Sequence, residues 1–395
     1  MSAPAEVGRR KIRWAAEWMP VLTGVGARLR ASGALAGRRV AVVLPVDPAT
    51  AYLATLLADA GAEVTAAATG ATVHDDVAAA LATLGVTVHA RAGSTREEDL
   101  AFFSQTLARR PEVVIDDRAT LVRLAHTTHT ESLGSLTGAC EETTSGASRL
   151  RAMEQDGTLR IPCIAVDDAR AKSLVGDRFG AGQSAVNAIL DRTNLLAADK
   201  EAVVVGYGSL GKGIAARLRG LAARVTVCEV DPFAALEAHH EGYDVAPLLE
   251  ACARADVIVT AAAAPGALGG EALAVVRDRA VLANAGSADD TIDVAWLAAN
   301  AAGRREVRDH VEEIVLADGR ALFLVGGAVA VDQAAAEGRP AEAMDVTLSL
   351  QALAAAHLLE HAGSLGPSVH VLPAGLDEEV ARLTLDAAGV RIDAV

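Results

Sequence analysis

The sequence predicts an α/β fold with two Rossmann-like domains, one of which is interrupted by the other. Three observations predict this fold class. Strand and helix patterns alternate over residues 39–115, a strand, a glycine turn and a helix follow one another at 202–213, and an Ala-rich helical pattern occupies 341–362. Alternation of this kind is typical of parallel sheets covered by helices. A chain of 395 residues is also long enough for two hydrophobic cores.

The first domain is expected to contain a parallel sheet. In chain order its predicted elements are strand 39–44, helix 49–60, strand 63–68, helix 75–84, strand 86–89 and strand 113–115. The last strand is followed by Asp116 and Asp117, at the sheet edge where open sheets bind ligands. The Asp pair is therefore a candidate for the functional site, and helix capping is the alternative role.

The second domain is marked by glycines between a strand and a helix, in the run Ala202-Val-Val-Val-Gly-Tyr-Gly-Ser-Leu-Gly-Lys-Gly213. Gly206 permits a tight turn, and Gly208 lets the backbone approach a pyrophosphate. Gly211 lets the helix pack closely on its strand. In this context the pattern predicts dinucleotide binding.

The helix after the glycine turn starts with Ser209 and Leu210, and its N-terminus can hold phosphates. The next strand, 224–228, is followed by Glu229. A carboxylate there can accept hydrogen bonds from both ribose hydroxyls and would repel a 2′-phosphate, so the predicted cofactor is NAD rather than NADP.

The predicted elements also indicate where the second domain begins and ends in the sequence. A connecting helix is predicted at 184–196, further strands at 257–260 and 280–283, and the end of its sheet near 321–325. The predicted domains are 1–180 (substrate-binding domain, first part), 181–337 (NAD-binding domain) and 338–395 (return to the substrate-binding domain).

The composition disfavours several classes of partner. A formal charge of −15 and 3% aromatic residues argue against nucleic-acid binding. The charged N-terminus and the lack of a long apolar run predict a cytoplasmic protein without membrane attachment. The four cysteines form no CxxC pair and are expected to be buried thiols, and the sequence indicates no metal.

A series of short motifs follows in order along the chain: Glu17-Trp-Met-Pro20, Ile115-Asp-Asp117, Cys140-Glu-Glu-Thr-Thr-Ser-Gly146, Asp167-Asp-Ala-Arg-Ala-Lys-Ser173, Glu229-Val-Asp-Pro232, Ile292-Asp-Val-Ala-Trp-Leu297 and Val369-His-Val-Leu-Pro-Ala-Gly-Leu-Asp-Glu378. Together they resemble the S-adenosyl-L-homocysteine hydrolase family almost end to end. The resemblance implies a discontinuous substrate domain around an inserted NAD domain. It also implies transient oxidation of a nucleoside 3′ carbon, which acidifies the 4′ proton so that a 5′ group can be eliminated before water adds.

The resemblance assigns roles to individual residues. Lys172 matches the family's catalytic lysine, which can polarise the 3′ hydroxyl, or deprotonate it if burial and the nearby charge of NAD⁺ lower the pKa of the lysine. The catalytic set that it implies is Lys172, Glu142 as hydroxyl-binding glutamate, Asp117 near the reacting carbons, and Asp177. Besides the glycine turn and Glu229, the implied cofactor contacts are Thr143, Thr144, Ser145, Asn284 and Gly286.

The chain departs from the family pattern at several positions. Pro45 and Ser287 stand where the family has histidines, and Ala49 replaces a glutamine that reads the adenine edge. Other departures are Gly176-Asp177, Ala181, Val331, Arg339 and the end at Val395 without the family's C-terminal tail, which carries a lysine and a tyrosine. The chain is thus identified as a divergent family member that lacks several catalytic histidines, and it is expected to hold NAD more loosely.

These departures lead to a specific functional expectation. The chain is predicted to be an adenosylhomocysteinase-like, NAD-dependent hydrolase or lyase of secondary metabolism. It would use transient 3′ oxidation of another nucleoside or sugar-like substrate for elimination and hydration or for epimerisation. One alternative is an authentic S-adenosyl-L-homocysteine hydrolase in which His74, His126 or Asp47 replaces missing groups. The other is a catalytically inactive NAD-binding paralogue. A homo-oligomer, either dimer or tetramer, is expected.

Overall fold

The computed structural model describes residues 3–288, 290–336 and 338–393. The chain forms two compact units. The first comprises the chain up to Gly176 and from Ala341 onwards, and the second comprises Asp177–Pro340. The predicted domain boundaries, after residues 180 and 337, lie near these two divisions.

Parallel β-strands dominate both units. In chain order the strands are β1 (Arg39–Val43), β2 (Glu63–Ala67), β3 (Thr87–His89), β4 (Val113–Asp116), β5 (Gly138–Glu141), β6 (Cys163–Ala165), β7 (Glu201–Val205), β8 (Arg224–Cys228), β9 (Asp244–Val245), β10 (Val257–Thr260), β11 (Val281–Asn284), β12 (Ala301–Arg308), β13 (Val311–Leu316), β14 (Ala321–Ala330) and β15 (Val369–Val371).

Helices connect and cover these strands. They are α1 (Ala3–Glu17), α2 (Pro20–Ser32), α3 (Pro48–Asp59), α4 (Asp75–Thr83), α5 (Arg96–Ala108), α6 (Thr120–Thr127), α7 (Thr144–Gln155), α8 (Gly182–Thr193), α9 (Ser209–Gly220), α10 (Pro232–His240), α11 (Leu248–Cys252), α12 (Gly270–Val275), α13 (Val294–Asn300), α14 (Val331–Ala334), α15 (Ala341–Glu360) and α16 (Ala374–Ala387). Short 3₁₀ helices occupy Gly70–Thr72, Thr130–Gly134 and Val166–Asp168, and a π-helix occupies Lys172–Ala181.

The sheet of the first unit is parallel throughout, with strand order β15-β6-β5-β4-β1-β2-β3. The strand order reverses between β1 and β4, where Val42 pairs with Ile115. In open α/β sheets, the crevice beyond the carboxyl ends of such a strand pair is the usual ligand site. The residues that follow β1 and β4 are therefore placed where a substrate would bind.

Helix α15 completes the first unit from the far end of the chain. Sixteen of its twenty residues are buried, and it packs against α2, α3, β4 and β5. Its Asp345 accepts hydrogen bonds from the backbone N–H groups of Val21 (3.0 Å) and Leu22 (2.6 Å). These groups lie in the first turn of α2, whose own N-cap residue supplies no side-chain bond. The C-terminal segment thus both covers the sheet and caps an N-terminal helix.

The sheet of the second unit has the order β12-β13-β14-β11-β10-β7-β8-β9. Strands β14 to β9 in this order are parallel, and β12 and β13 extend the sheet as an antiparallel edge. Here the order reverses between β7 and β10, so the glycine turn after β7 lies at the switch point. The predicted fold class, α/β with two Rossmann-like domains, is confirmed.

Candidate active site

The ends of β4 and β5 bring two buried carboxylates side by side in the first unit. Asp116 ends β4, Glu141 ends β5, and the two residues are paired across the sheet. Both have no exposed surface. Strands β4 and β5 are parallel, so their carboxyl ends lie at the same edge of the sheet. The residues that follow them, including Asp117 and Glu142, therefore lie at that edge.

Asp116 is the helix cap of this pair. Its carboxylate accepts hydrogen bonds from the backbone N–H groups of Leu121 (3.1 Å) and Val122 (3.0 Å) in the first turns of α6. Burial raises the pKa of Asp116 to about 7, and the neighbouring charge of Asp117 acts in the same direction. The capping role, which the sequence left open for the pair, is therefore the role of Asp116.

Asp117 has a carboxylate oxygen that accepts no hydrogen bond from the described residues. Its Oδ1 atom is buried and has no hydrogen-bond partner among the described residues. The charge placed next to it is the guanidinium of Arg118, with 3.8 Å between Nε and Oδ1. A buried acceptor without a partner is costly to the folded protein, so its presence points to a ligand that supplies the missing hydrogen.

Glu141 holds the loop that carries Asp117, and sequence reasoning missed it. Its carboxylate accepts hydrogen bonds from the N–H groups of Arg118 (3.0 Å) and Ala119 (2.8 Å), which have positive φ values of 59° and 52°. Non-glycine residues rarely adopt this conformation, so the carboxylate stabilises a strained backbone. Burial raises the pKa of Glu141 well above its ordinary value, and the charges of Asp116 and Asp117 raise it further. The available signal was an acidic residue at the end of an otherwise apolar strand.

The predicted Thr-rich turn follows Glu141 directly. Thr143 donates to Glu141 from both its N–H (2.8 Å) and its hydroxyl (2.6 Å), and its hydroxyl oxygen caps α7 by accepting from the Gly146 N–H (3.2 Å). Glu142 and Ser145 are buried, whereas Thr144 is exposed. The first unit thus groups Asp117, Glu142, Thr143 and Ser145 around one sheet edge.

Lys172 is a buried lysine at the start of the π-helix. Only 2% of its surface is exposed, and its Nζ lies 2.5 Å from Oδ1 of Asp167. It is therefore not the solvated surface lysine that is the common case. Asp177, the fourth predicted catalytic residue, is half-buried in the same π-helix and belongs to the second unit.

The three glycines of the turn in the second unit have different roles: two are required by backbone conformation or packing, and one leaves space for a ligand. Gly206 has a φ of 99°, and a Cβ on Gly211 would lie 2.0 Å from the Gly206 carbonyl oxygen. Both glycines are required by the fold itself. A Cβ on Gly208, in contrast, would meet no atom within 4 Å. The space beside Gly208 fits a pyrophosphate at the N-terminus of α9, where Ser209 and Leu210 form the first turn.

Glu229 links the second strand to the glycine turn. Its Oε2 accepts a hydrogen bond from the Tyr207 N–H (2.6 Å), and its Oε1 accepts from the N–H groups of Val230 (2.7 Å) and Asp231 (3.0 Å). A carboxylate has about four acceptor sites, so capacity remains for a ribose hydroxyl. These residues would hold NAD by its ribose and pyrophosphate.

Asn284 shapes the loop after β11 with its side chain. Its Oδ1 accepts from the Gly286 N–H (2.9 Å), and its Nδ2 donates to the carbonyls of Ala288 (2.8 Å) and Ala328 (3.0 Å). A Cβ on Gly286 would lie 2.5 Å from the Ala262 carbonyl oxygen, so glycine is required there by packing. Any contact of Asn284 with the cofactor remains a prediction.

The three residues considered as replacements for the missing groups have different environments. His126 is engaged in structural bonds: Nδ1 contacts the Val122 carbonyl (2.7 Å), and Nε2 accepts from the Arg160 N–H (3.0 Å). His74 directly precedes α4. Asp47 caps α3 by accepting from the Thr50 N–H (2.8 Å), and burial raises its pKa.

Three further expectations concern metals, membranes and cysteines. Among the described residues, no group of three or more His, Cys, Asp or Glu side chains could hold a metal ion. None of the helices in this part of the chain is long and apolar enough to span a membrane. All four cysteines are buried and free, which confirms that prediction.

Comparison with known proteins identifies the family. The family model "S-adenosyl-L-homocysteine hydrolase" matches residues 2–132, and the model of its NAD-binding domain matches residues 177–338. An adenosylhomocysteinase of Thermococcus kodakarensis is 43% identical over 98% of this chain and 93% of its own. The chain belongs to the S-adenosyl-L-homocysteine hydrolase family. Its cofactor is NAD, as predicted.

Two other relatives bear on the activity. An adenosylhomocysteinase of Thermotoga maritima is 41% identical over 98% of this chain and 96% of its own. An S-inosyl-L-homocysteine hydrolase of Methanocaldococcus jannaschii is 40% identical over 98% of this chain and 93% of its own. Because full-length relatives at this identity are hydrolases of the family, the expectation of a dehydratase or epimerase of secondary metabolism is wrong.

Proposed function

We propose that this protein hydrolyses S-adenosyl-L-homocysteine to adenosine and L-homocysteine. The observation that carries the proposal is the identity of 41–43% to adenosylhomocysteinases over 98% of the chain. The buried lysine and the carboxylates at the edge of the first sheet supply the acid–base groups that the reaction needs. When bound, NAD supplies a hydride acceptor for the 3′ carbon.

In this proposal, Lys172 acts at the 3′ oxygen of the ribose. Its buried ammonium donates a hydrogen bond to that oxygen and stabilises the negative charge that develops there, in surroundings of low dielectric constant. Glu142 binds the 3′ hydroxyl, fixes the sugar, and accepts the hydroxyl proton as the hydride leaves the 3′ carbon; it returns this proton when the ketone is reduced. Both roles rest on the family resemblance together with the burial of these two side chains.

Asp117 acts on the 4′ side of the sugar. Its buried Oδ1, which accepts no hydrogen bond from the described residues, receives the 4′ proton once the 3′ carbon is a ketone. The C5′–S bond then breaks, and homocysteine leaves as a thiolate. Water adds its hydroxide to C5′, Asp117 returns its proton to C4′, and the second proton of the water ends on the homocysteine sulfur. The hydride held by the reduced cofactor would return to C3′ and restore the alcohol, so one water molecule is consumed in each turnover.

The test is to incubate the purified protein with NAD and S-adenosyl-L-homocysteine. Thiol release is followed with a disulfide reagent, and adenosine is measured by chromatography. Equal amounts of both products are expected, and Lys172→Ala should lower the rate about 100- to 1,000-fold. Lys11→Ala is the matched control, because Lys11 forms a half-exposed ion pair with Asp76 elsewhere in the first unit. Absence of homocysteine release by the wild-type protein would refute the proposal.

A second candidate substrate is S-inosyl-L-homocysteine. The residue that the resemblance places at the adenine edge is Ala49, which is buried and has no polar side-chain group to select the 6-amino group of adenine. A relative 40% identical to this chain is an S-inosyl-L-homocysteine hydrolase. The ratio of kcat/KM for the two substrates decides between them, and a ratio above about 100 in either direction assigns the base. Homo-oligomeric assembly and a cytoplasmic location stay predictions.

A further inference from the structure

We propose that Asp167 is the positioning residue of Lys172: it orients the ammonium group and keeps it protonated, so that Lys172 works as a hydrogen-bond donor. This inference rests on the proposed function, in which Lys172 acts at the 3′ oxygen. It assigns a role to a residue for which the sequence had suggested none.

The first support is the contact itself. Nζ of Lys172 lies 2.5 Å from Oδ1 of Asp167, with side-chain exposures of 3% and 10%. Hydrogen bonds between charged groups are the strongest in proteins, and a low-dielectric environment increases the attraction. A buried ammonium without a carboxylate would instead favour its neutral form. The carboxylate of Asp167 therefore favours the charged form of Lys172.

The second support is the rigidity of the backbone between the two residues. Asp167 lies in the 3₁₀ helix that directly follows β6, and that helix is closed by a hydrogen bond from the Ala169 N–H to the Val166 carbonyl (3.0 Å). The Ser173 N–H then donates to the Ala169 carbonyl (3.0 Å), at the beginning of the π-helix. Both partners of the ion pair are thus held by regular structure.

The C-terminal segment fixes the residues between these two helices. The N–H groups of Arg170 and Ala171 donate to the carboxylate of Asp377 at distances of 2.8 and 3.1 Å. Asp377 lies in the first turn of α16. These bonds hold the backbone between Asp167 and Lys172 in the conformation in which the two side chains meet.

The consequence concerns direction as well as charge. An ammonium group carries three N–H donors around a rotatable bond. When Asp167 accepts one of them, the directions of the other two are set. A donor aimed at the 3′ oxygen before the substrate binds costs no reorganisation during the reaction, which is the condition for electrostatic catalysis.

The test uses Asp167→Asn, which keeps the shape and one acceptor but removes the charge. We expect kcat to fall at least about tenfold at pH 7 with KM within about twofold, because the lost interaction acts mainly in the transition state. The high-pH limb of the kcat profile should move at least about one unit to lower pH. Asp167→Glu should restore part of both. Asp168→Asn is the matched control, because Asp168 lies in the same 3₁₀ helix and pairs at the surface with Arg151.

A second readout does not depend on activity. The chain has four lysines, at positions 11, 172, 200 and 212, so protein labelled with ¹³C at lysine Cε gives few NMR signals. Lys172→Met identifies the Lys172 signal. Its titration midpoint should lie at least about one unit lower in Asp167→Asn than in the wild type, and it should be unchanged in Asp168→Asn. Equal midpoints in the wild type and Asp167→Asn would overturn the inference. A shifted midpoint in a wild-type protein that releases no homocysteine would refute the proposed function but leave the ion pair's effect on Lys172 intact.

Discussion

The three glycines of the dinucleotide turn are expected to respond differently to the same substitution. In Gly208→Ala the new Cβ meets no protein atom within 4 Å, and the φ of −70° is ordinary for alanine. Alanine is a poorer N-cap than glycine by several tenths of a kcal/mol, but it loses less chain entropy on folding, worth about 0.4–1 kcal/mol. The free energy of unfolding should therefore change by less than about 1 kcal/mol.

Binding of NAD should respond strongly to the same substitution. The added methyl group occupies the space through which the pyrophosphate approaches the backbone, so we expect NAD affinity to fall at least tenfold, or about 1.4 kcal/mol. Gly211→Ala should show the opposite pattern, because its Cβ would lie 2.0 Å from the Gly206 carbonyl oxygen. The resulting displacement of α9 from β7 should cost about 1–3 kcal/mol of folding free energy.

Urea denaturation and calorimetric titration with NAD measure the two quantities independently. Gly220→Ala is the control, since Gly220 lies at the other end of α9 and its Cβ would also meet no atom within 4 Å. It should change neither stability nor NAD affinity by more than about 1 kcal/mol. If Gly208→Ala bound NAD within twofold of the wild type, the cofactor would not pass over this turn, and the assignment of the glycines would be refuted.

Three other substitutions test the site. Asp117→Asn should lower kcat at least about 100-fold, because the amide cannot accept the 4′ proton. Urea denaturation should show a stability change below about 1 kcal/mol, because Oδ1 of Asp117 accepts no hydrogen bond from the described residues. An unchanged kcat would show that Asp117 takes no part in the reaction. Glu229→Gln should reduce the ratio of NAD to NADP affinity at least about tenfold in calorimetric titrations, with the surface variant Glu237→Gln as control, and an unchanged ratio would contradict the ribose role. Burial raises the pKa of Asp116 from 3.8 to about 7, so its stabilising contribution is complete below about pH 4 and is lost as pH rises through 7. Urea denaturation should thus show a free energy of unfolding that falls from pH 5 to pH 8, and Asp116→Asn should flatten this dependence; an equal slope in the variant would assign the effect to other groups.

The sequence predicts much of the fold because its strands are short apolar runs separated by clear turns. The strand predicted at 257–260 is β10 without change, and the helix predicted at 49–60 is α3 shifted by one residue. The hairpin of β12 and β13 was missed for a physical reason. Nearly every residue of β12 is exposed, so its side chains show no alternation of apolar and polar residues.

The candidate site was only partly predictable. Motifs place Asp117, Glu142 and Lys172 near sheet edges. A motif does not show which carboxylates hydrogen-bond to backbone N–H groups of the protein itself and which stay available to a ligand. Asp116 binds backbone N–H groups in the first turn of α6, and Glu141 binds those of the loop directly before α6, so these contacts exist only when the loop and helix have formed. The pair of Lys172 and Asp167 likewise depends on a π-helix, whose sequence has no distinctive period.

The split of the first unit has a consequence for synthesis on the ribosome. Its central helix α15, the edge strand β15 and the cap on α2 all come from residues after 340. During translation the second unit is therefore complete before the first, although the first begins the chain. Until α15 emerges, the apolar face of the growing sheet next to β4 and β5 has no cover, and unburied surface of this kind promotes aggregation and chaperone binding. The first segment of the chain to be synthesised is thus the last to complete its hydrophobic core.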